Sequence, residues 1–177
     1  MNMQSALGGA LEERKRKILK DGNQRAEGMV CPRCKQKMKF IEEDEKFFYV
    51  CRNFPKHCDV THMAYPDGRP MGKPADAVTR KLRALCHRKM DELILSKKGI
   101  DKRMAQRKIY DFLAVKMKLS AVHFGSFNHQ ACKQAMSILK DVTLDEVINF
   151  VDEKAKRDLE EKKRRMAARG LFYPDDE

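Results

Sequence analysis

The sequence lacks tryptophan altogether, and nowhere does it carry the roughly 18 to 20 consecutive apolar residues that a membrane span needs. Its N-terminus, MNMQSALGGALEERKRK, has no long apolar core behind a basic flank, so the chain is expected to work in a cytoplasm and away from membranes. No glycine-rich phosphate loop, carboxylate pair or nucleophile beside a base is visible, which argues against an enzyme and against a small-molecule substrate. Nothing repeats at a fixed period. Aromatic residues are 7% and charged residues 36% of the 177, so a large single core is excluded, while 42% hydrophobic residues suffice for small modules.

What is present in excess is positive charge, +12 overall. Between Arg69 and Lys118 there are 15 Lys/Arg against 5 Asp/Glu, so most of the field belongs to one region. Such a field attracts phosphate polyanions by counterion release, and equally an acidic protein surface.

The six cysteines are the second informative feature. Cys31/Cys34 and Cys51/Cys58 flank a segment that alternates apolar and polar residues, Lys37–Ile41 and Lys46–Val50, with EEDE at residues 42–45 as a polar turn. A hairpin this short buries too little to offset its ordering entropy. Four thiolates on one Zn²⁺ supply on the order of 10 kcal/mol of folding free energy. One structural zinc on Cys31, Cys34, Cys51 and Cys58 is therefore expected, Pro32 helping the first knuckle to bend. Cys58 has neighbours that offer an alternative fourth ligand, His57 and His62. Cys86 and Cys132 fall on apolar helix faces and read as small core residues.

The expected fold is a small zinc ribbon, a β-hairpin with two Cys knuckles, followed by a mainly α-helical domain with a long C-terminal helix. Residues 1–28 read as a mobile arm with a short helix at Leu11–Lys20, interrupted by glycines on either side. The finger occupies 29–65, a Pro/Gly linker 66–74, the helical domain 75–152, and a charged helical extension with a tail 153–177. Helices are predicted over 75–98, with Val78, Leu82, Leu85, Cys86, Met90, Leu93 and Ile94 inside, and over 102–119 behind an Asp101 cap. The second should bury Ala105, Ile109, Phe112, Leu113 and Met117. A third follows over 128–140, and Thr143 with Glu146 forms a capping box for the last.

The finger, CPRCKQKM then FFYVC then NFPKHC, resembles the zinc fingers in the C-terminal part of bacterial type I DNA topoisomerases, which bind single-stranded DNA. Continuing through YPDGRPMGKPADAVTRKLRALCHRKMDEL and VHFGSFNHQACKQAM, residues 29–141 also resemble an uncharacterised family of phage and bacterial zinc-finger proteins. The resemblance implies a phage protein acting in a bacterial host cytoplasm. It also implies a nucleic-acid partner, single-stranded DNA above all. The acidic EEDE tip would repel a phosphate backbone, so any contact falls to another face.

Candidate contacts are Phe47, Tyr49 and Phe54 for stacking on unpaired bases, each with core packing as the alternative, and Arg80, Lys81, Arg88, Lys102, Arg103 and Arg107 for phosphates. The other function class consistent with these features is a protein-binding adaptor that docks on a host or phage replication or transcription enzyme.

Overall fold

The computed structural model describes residues 3–171. These group into two compact units. One comprises the chain up to Ala84 together with Phe124–Cys132, the other Leu85–His123 together with the chain from Lys133 onward.

The first unit is built on an antiparallel sheet of three strands, β1 (Met38–Glu43), β2 (Lys46–Cys51) and β3 (Thr61–Met63), in the order β1-β2-β3. Asp44 and Glu45 both take positive φ, 49° and 61°, which makes the acidic tip a two-residue turn whose twist suits a hairpin. Register places Met38 opposite Cys51, Phe40 opposite Tyr49 and Glu42 opposite Phe47, so these side chains share one face. Met38, Phe40 and Tyr49 are buried there with Val60 and Ala64. The three-residue strand β3, paired with β2 from Thr61 to Met63, is absent from the sequence-based expectation because it is too short to show alternation.

The N-terminal segment differs from expectation. A single helix, α1 (Met3–Glu27), runs through the glycines and packs on the sheet rather than standing off as a mobile arm. Ala26 is buried, Ile18 and Leu19 lie against the same cluster, and Gly22 allows close approach to Phe40. Asn23 Oδ1 accepts the Phe40 N–H at 3.3 Å, and Lys15 pairs with Glu42 at 2.6 Å, so the exposed edge of β1 is covered.

The expected linker at 66–74 is likewise not a boundary between units. Lys73 N–H donates to the Gly125 carbonyl at 2.9 Å, and a Cβ on Gly72 would lie 2.3 Å from that same oxygen. Helix α2 (Ala77–Leu95) starts behind Asp76, whose carboxylate accepts the Thr79 N–H. Its first buried residues are Thr79 and Arg83, whereas Val78 is 56% exposed. The inward stripe thus begins at 79 and 83, leading into Cys86, Met90 and Leu93, rather than at 78 and 82.

The second unit follows the predicted helical pattern closely. Helix α3 (Lys102–Met117) is capped by Asp101, which accepts the Met104 N–H at 2.7 Å, and buries the predicted Ala105, Ile109, Phe112, Leu113 and Met117. Lys118 ends it in the left-handed region. Helix α4 (His129–Ile138) belongs to the first unit up to Cys132 and to the second from Lys133, and ahead of it Asn128 Oδ1 accepts the Ala131 N–H. The Thr143–Glu146 capping box opens α5 (Leu144–Ala167), which buries Leu144, Val147 and Val151.

Helices α3 and α5 meet through an edge-on Phe112–Phe150 pair, with Lys116 Nζ 4.3 Å from the Phe150 ring centroid and a Lys108–Asp152 ion pair. Beyond Val151 the helix carries no buried residue and is supported by i to i+4 pairs such as Lys154–Asp158. The predicted tail from 172 onward lies outside the described residues.

Candidate metal centre

The four cysteines predicted to bind metal are brought together. Their sulfurs all lie within 4.8 Å of one another, with Cys31 Sγ 3.6 Å from Cys58 Sγ and Cys34 Sγ 3.3 Å from Cys51 Sγ. A tetrahedron with Zn–S bonds of about 2.3 Å has edges of roughly 3.8 Å, so the spread suits one ion, whereas a disulfide needs about 2.05 Å. All six cysteines are free thiols.

Local backbone geometry aims these sulfurs. In the first knuckle Cys31 N–H donates to Gln36 O at 2.8 Å and Lys35 N–H to Cys31 O at 3.0 Å, with Lys35 at a positive φ of 62°. In the second, Phe54 N–H donates to Cys51 O at 2.9 Å, and Cys51 N–H reaches Val60 O at 3.0 Å. Asn53 serves both halves of the site. Its backbone N–H points at Cys51 Sγ (3.4 Å) and its amide Nδ2 at Cys34 Sγ (3.8 Å). Such donors orient thiolates and temper their negative charge.

Cys31, Cys51 and Cys58 are buried and Cys34 is half-buried. Without metal, the backbone N–H of Gln36 and the neighbouring Cys51 thiol hold the Cys34 thiol down at about 7, while burial pushes Cys51 up to about 12 and raises Cys58 as well. Zinc must displace those protons, so its binding is tied to pH. His57 is exposed, and His62 on β3 is outside the sulfur cluster. The fourth donor is therefore Cys58 and neither histidine. With four protein ligands no coordination position is left for substrate, and the bound ion supplies folding free energy.

A family described as a zinc-finger-containing domain matches residues 28–142, well over half of the chain. The chain belongs to this zinc-finger family. No curated protein and no solved structure matches it. The family match and the sulfur cluster together make the zinc finger, with one structural zinc, the established part of the protein's chemistry.

The predicted nucleic-acid residues are distributed unevenly around this finger. Tyr49 is 0% exposed, and its hydroxyl donates to Gly68 O at 2.7 Å, so its ring is core and not a stacking platform. Phe47 stacks on Phe40 with centroids 5.5 Å apart, and Phe54 packs half-buried on the same cluster. Arg80 is committed to backbone, donating to Asp59 O at 2.6 Å and Ala75 O at 2.7 Å. Lys81 is exposed.

In the other unit Arg88, Arg103 and Arg107 are exposed, and Lys102 is exposed but paired with Asp91 at 3.2 Å. Arg83 and Asp59 carry no local sequence signal, because their partners are distant in the chain. Asp59 joins the first knuckle to the start of α2, accepting from Arg33 Nη1 at 2.7 Å and from Ala77 N–H at 2.9 Å. Those hydrogen bonds, that from Ala77 first, hold its carboxyl below the usual range.

Proposed function

We propose that this zinc-finger protein is a non-catalytic accessory protein that binds nucleic acid, single-stranded DNA foremost, with exposed arginines and lysines as the phosphate contacts and the zinc finger as a rigid platform. The observation that carries this reading is the pair Arg103 and Arg107. They lie one turn apart on α3, both exposed, and neither takes part in an ion pair among the described residues. Cations left without acidic partners keep their full attraction for phosphate.

The finger's resemblance to topoisomerase fingers supports the single-strand preference, and the resemblance of residues 29–141 to phage and bacterial zinc-finger proteins supports a phage protein working in a bacterial cytoplasm. Its buried Tyr49 moves the functional weight from ring stacking to charge.

The reading is tested by fluorescence anisotropy with a labelled single strand. Affinity should fall steeply with salt, and Arg103→Glu with Arg107→Glu should flatten the log–log salt slope by about 1.4, roughly 0.7 for each phosphate no longer neutralised. No binding at low salt would rule the reading out.

A second reading, a protein-binding adaptor, is favoured by α5. Past Val151 this helix is charged, buries nothing and leaves Leu159 exposed. Recovery of one stoichiometric replication or transcription protein that survives nuclease treatment would favour the adaptor.

A further inference from the structure

The finger's unit contains a cleft whose lining includes no zinc ligand. It has a volume of about 560 Å³ and is bounded by the first knuckle, residues 73–76 and residues 126–129. Sites for small ligands run from roughly 300 to 1,000 Å³, so it is large enough for a nucleotide. Every residue that lines it belongs to the same compact unit.

Two kinds of surface meet there. Val30, Pro32 and Pro74 supply an accessible apolar wall, with Val30 56% exposed, backed by the buried Val60 and Phe127. Lys73 and His129, both exposed, supply positive or protonatable groups on the lining. Arg83 supplies a third, and its situation is unusual. It is only 7% exposed, yet its guanidinium makes no ion pair among the described residues and is held by carbonyls, Nε on Phe127 O and Nη1 on Lys73 O, both at 2.7 Å. A guanidinium removed from water without an ion-pair partner gains from an anion placed beside it. Asp76, the acidic residue of the lining, is engaged with the Thr79 N–H at 2.7 Å. Asn128 Oδ1 is occupied by the Ala131 N–H, which leaves its amide Nδ2 as a donor, and Ser126 adds a hydroxyl.

We propose that this cleft receives one unpaired nucleotide of a single-stranded nucleic acid. The base lies on the Val30, Pro32 and Pro74 surface, and the phosphate is held by Arg83, Lys73 and His129. Asn128 and Ser126 hydrogen-bond the edge of the base. A paired base cannot leave its stack without cost, so such a cleft discriminates in favour of single strands. This assignment rests on the nucleic-acid reading above and adds the point at which a base enters.

The test uses the full-length, zinc-loaded protein and a fluorescent single-stranded oligodeoxynucleotide at low salt. Lys73→Glu with His129→Glu alters the cleft. A carboxylate in the first turn of α4 favours that helix, so the variant should fold and retain its zinc. Lys39→Glu with Lys46→Gln, two exposed positions outside the lining, is the charge-matched control, since each variant lowers the net charge by 3 with histidine counted as neutral. The cleft variant should bind about tenfold more weakly and the control less than about threefold.

Thymidine monophosphate should shift the amide resonances of residues 126–129 in the wild type and not in the cleft variant. Equal weakening by both variants, with the wild type still binding, would overturn the cleft assignment and leave the nucleic-acid reading standing. Identical shifts with inorganic phosphate alone would overturn the base-binding part. Absence of wild-type binding at low salt would overturn both.

Discussion

Gly22 of α1 lies directly against the ring of Phe40 on β1: a Cβ built on it would come 2.2 Å from Phe40 Cδ1 and 2.6 Å from Cγ. The ring cannot easily retreat, because it stacks on Phe47 and is 4.8 Å, centroid to centroid, from Tyr49. In a free helix, Gly→Ala gains about 1 kcal/mol, but overpacking a tight contact costs about 1 to 3 kcal/mol. Gly22→Ala should therefore destabilise the protein in urea unfolding or, at best, show none of the helix gain. Gly9→Ala, where nothing lies within 4 Å of the new Cβ, should stabilise it. If the two substitutions shift the midpoint alike, α1 does not pack on the sheet as described.

The metal centre makes a sharper demand. Cys58→Ser should leave zinc well below one ion per chain and abolish the sheet's circular dichroism signal, because the sulfur cluster loses a ligand and the short hairpin its main source of stability. His57→Ala and His62→Ala should keep a full complement of zinc. Asn53→Ala retains the backbone donor to Cys51 but loses the amide to Cys34, and should weaken zinc affinity about tenfold in a chelator competition. Full zinc in Cys58→Ser would return one of the histidines to the ligand set.

Tyr49 separates packing from recognition. Tyr49→Phe removes the hydroxyl that donates to Gly68 O and leaves a buried acceptor unmatched, a loss of about 1 to 2 kcal/mol. Binding of single-stranded DNA should be unchanged, since the ring is enclosed between the sheet and α1. A large loss of binding with unchanged stability would mean that the ring reaches the ligand after all.

The features legible in the sequence are the local ones. Cys31 and Cys34 announce a knuckle because both ligands sit within one bend, and the α3 stripe from Ala105 to Met117 follows from helical periodicity alone. Asp101 and the Thr143–Glu146 pair are caps whose donors and acceptors lie within three residues.

The features that are not legible depend on distant partners. Gly22 reads as a helix breaker until Phe40 is placed beside it. Nothing local marks Arg83 out from the other cations of α2 until its guanidinium meets the carbonyls of Lys73 and Phe127. That same contact, with the Gly72–Gly125 approach, draws residues 124–132 into the finger's unit, which no local pattern foretells. Strand alternation does place Phe47 and Tyr49 on one face, but only α1 decides that this face is covered.

The capping box of α5 yields a pH dependence that is independent of the zinc ligands. Glu146 accepts from Thr143 N–H at 2.7 Å and from Thr143 Oγ1 at 2.9 Å, and these bonds, the backbone one first, hold its carboxyl below the ordinary glutamate range. A carboxyl whose folded pKa is depressed contributes stability that is complete above its unfolded pKa and disappears as pH falls through the folded one. The start of α5 should thus be most ordered at neutral pH and should loosen in acid, in the window below the usual glutamate pKa. A carboxyl-detected NMR titration should find Glu146 below that range. Thr143→Ala, which removes one donor and the N-cap, should move it back toward the range and cost about 1 kcal/mol of stability. Equal titration midpoints in the wild type and Thr143→Ala would show that the hydroxyl does not contribute to the box in solution.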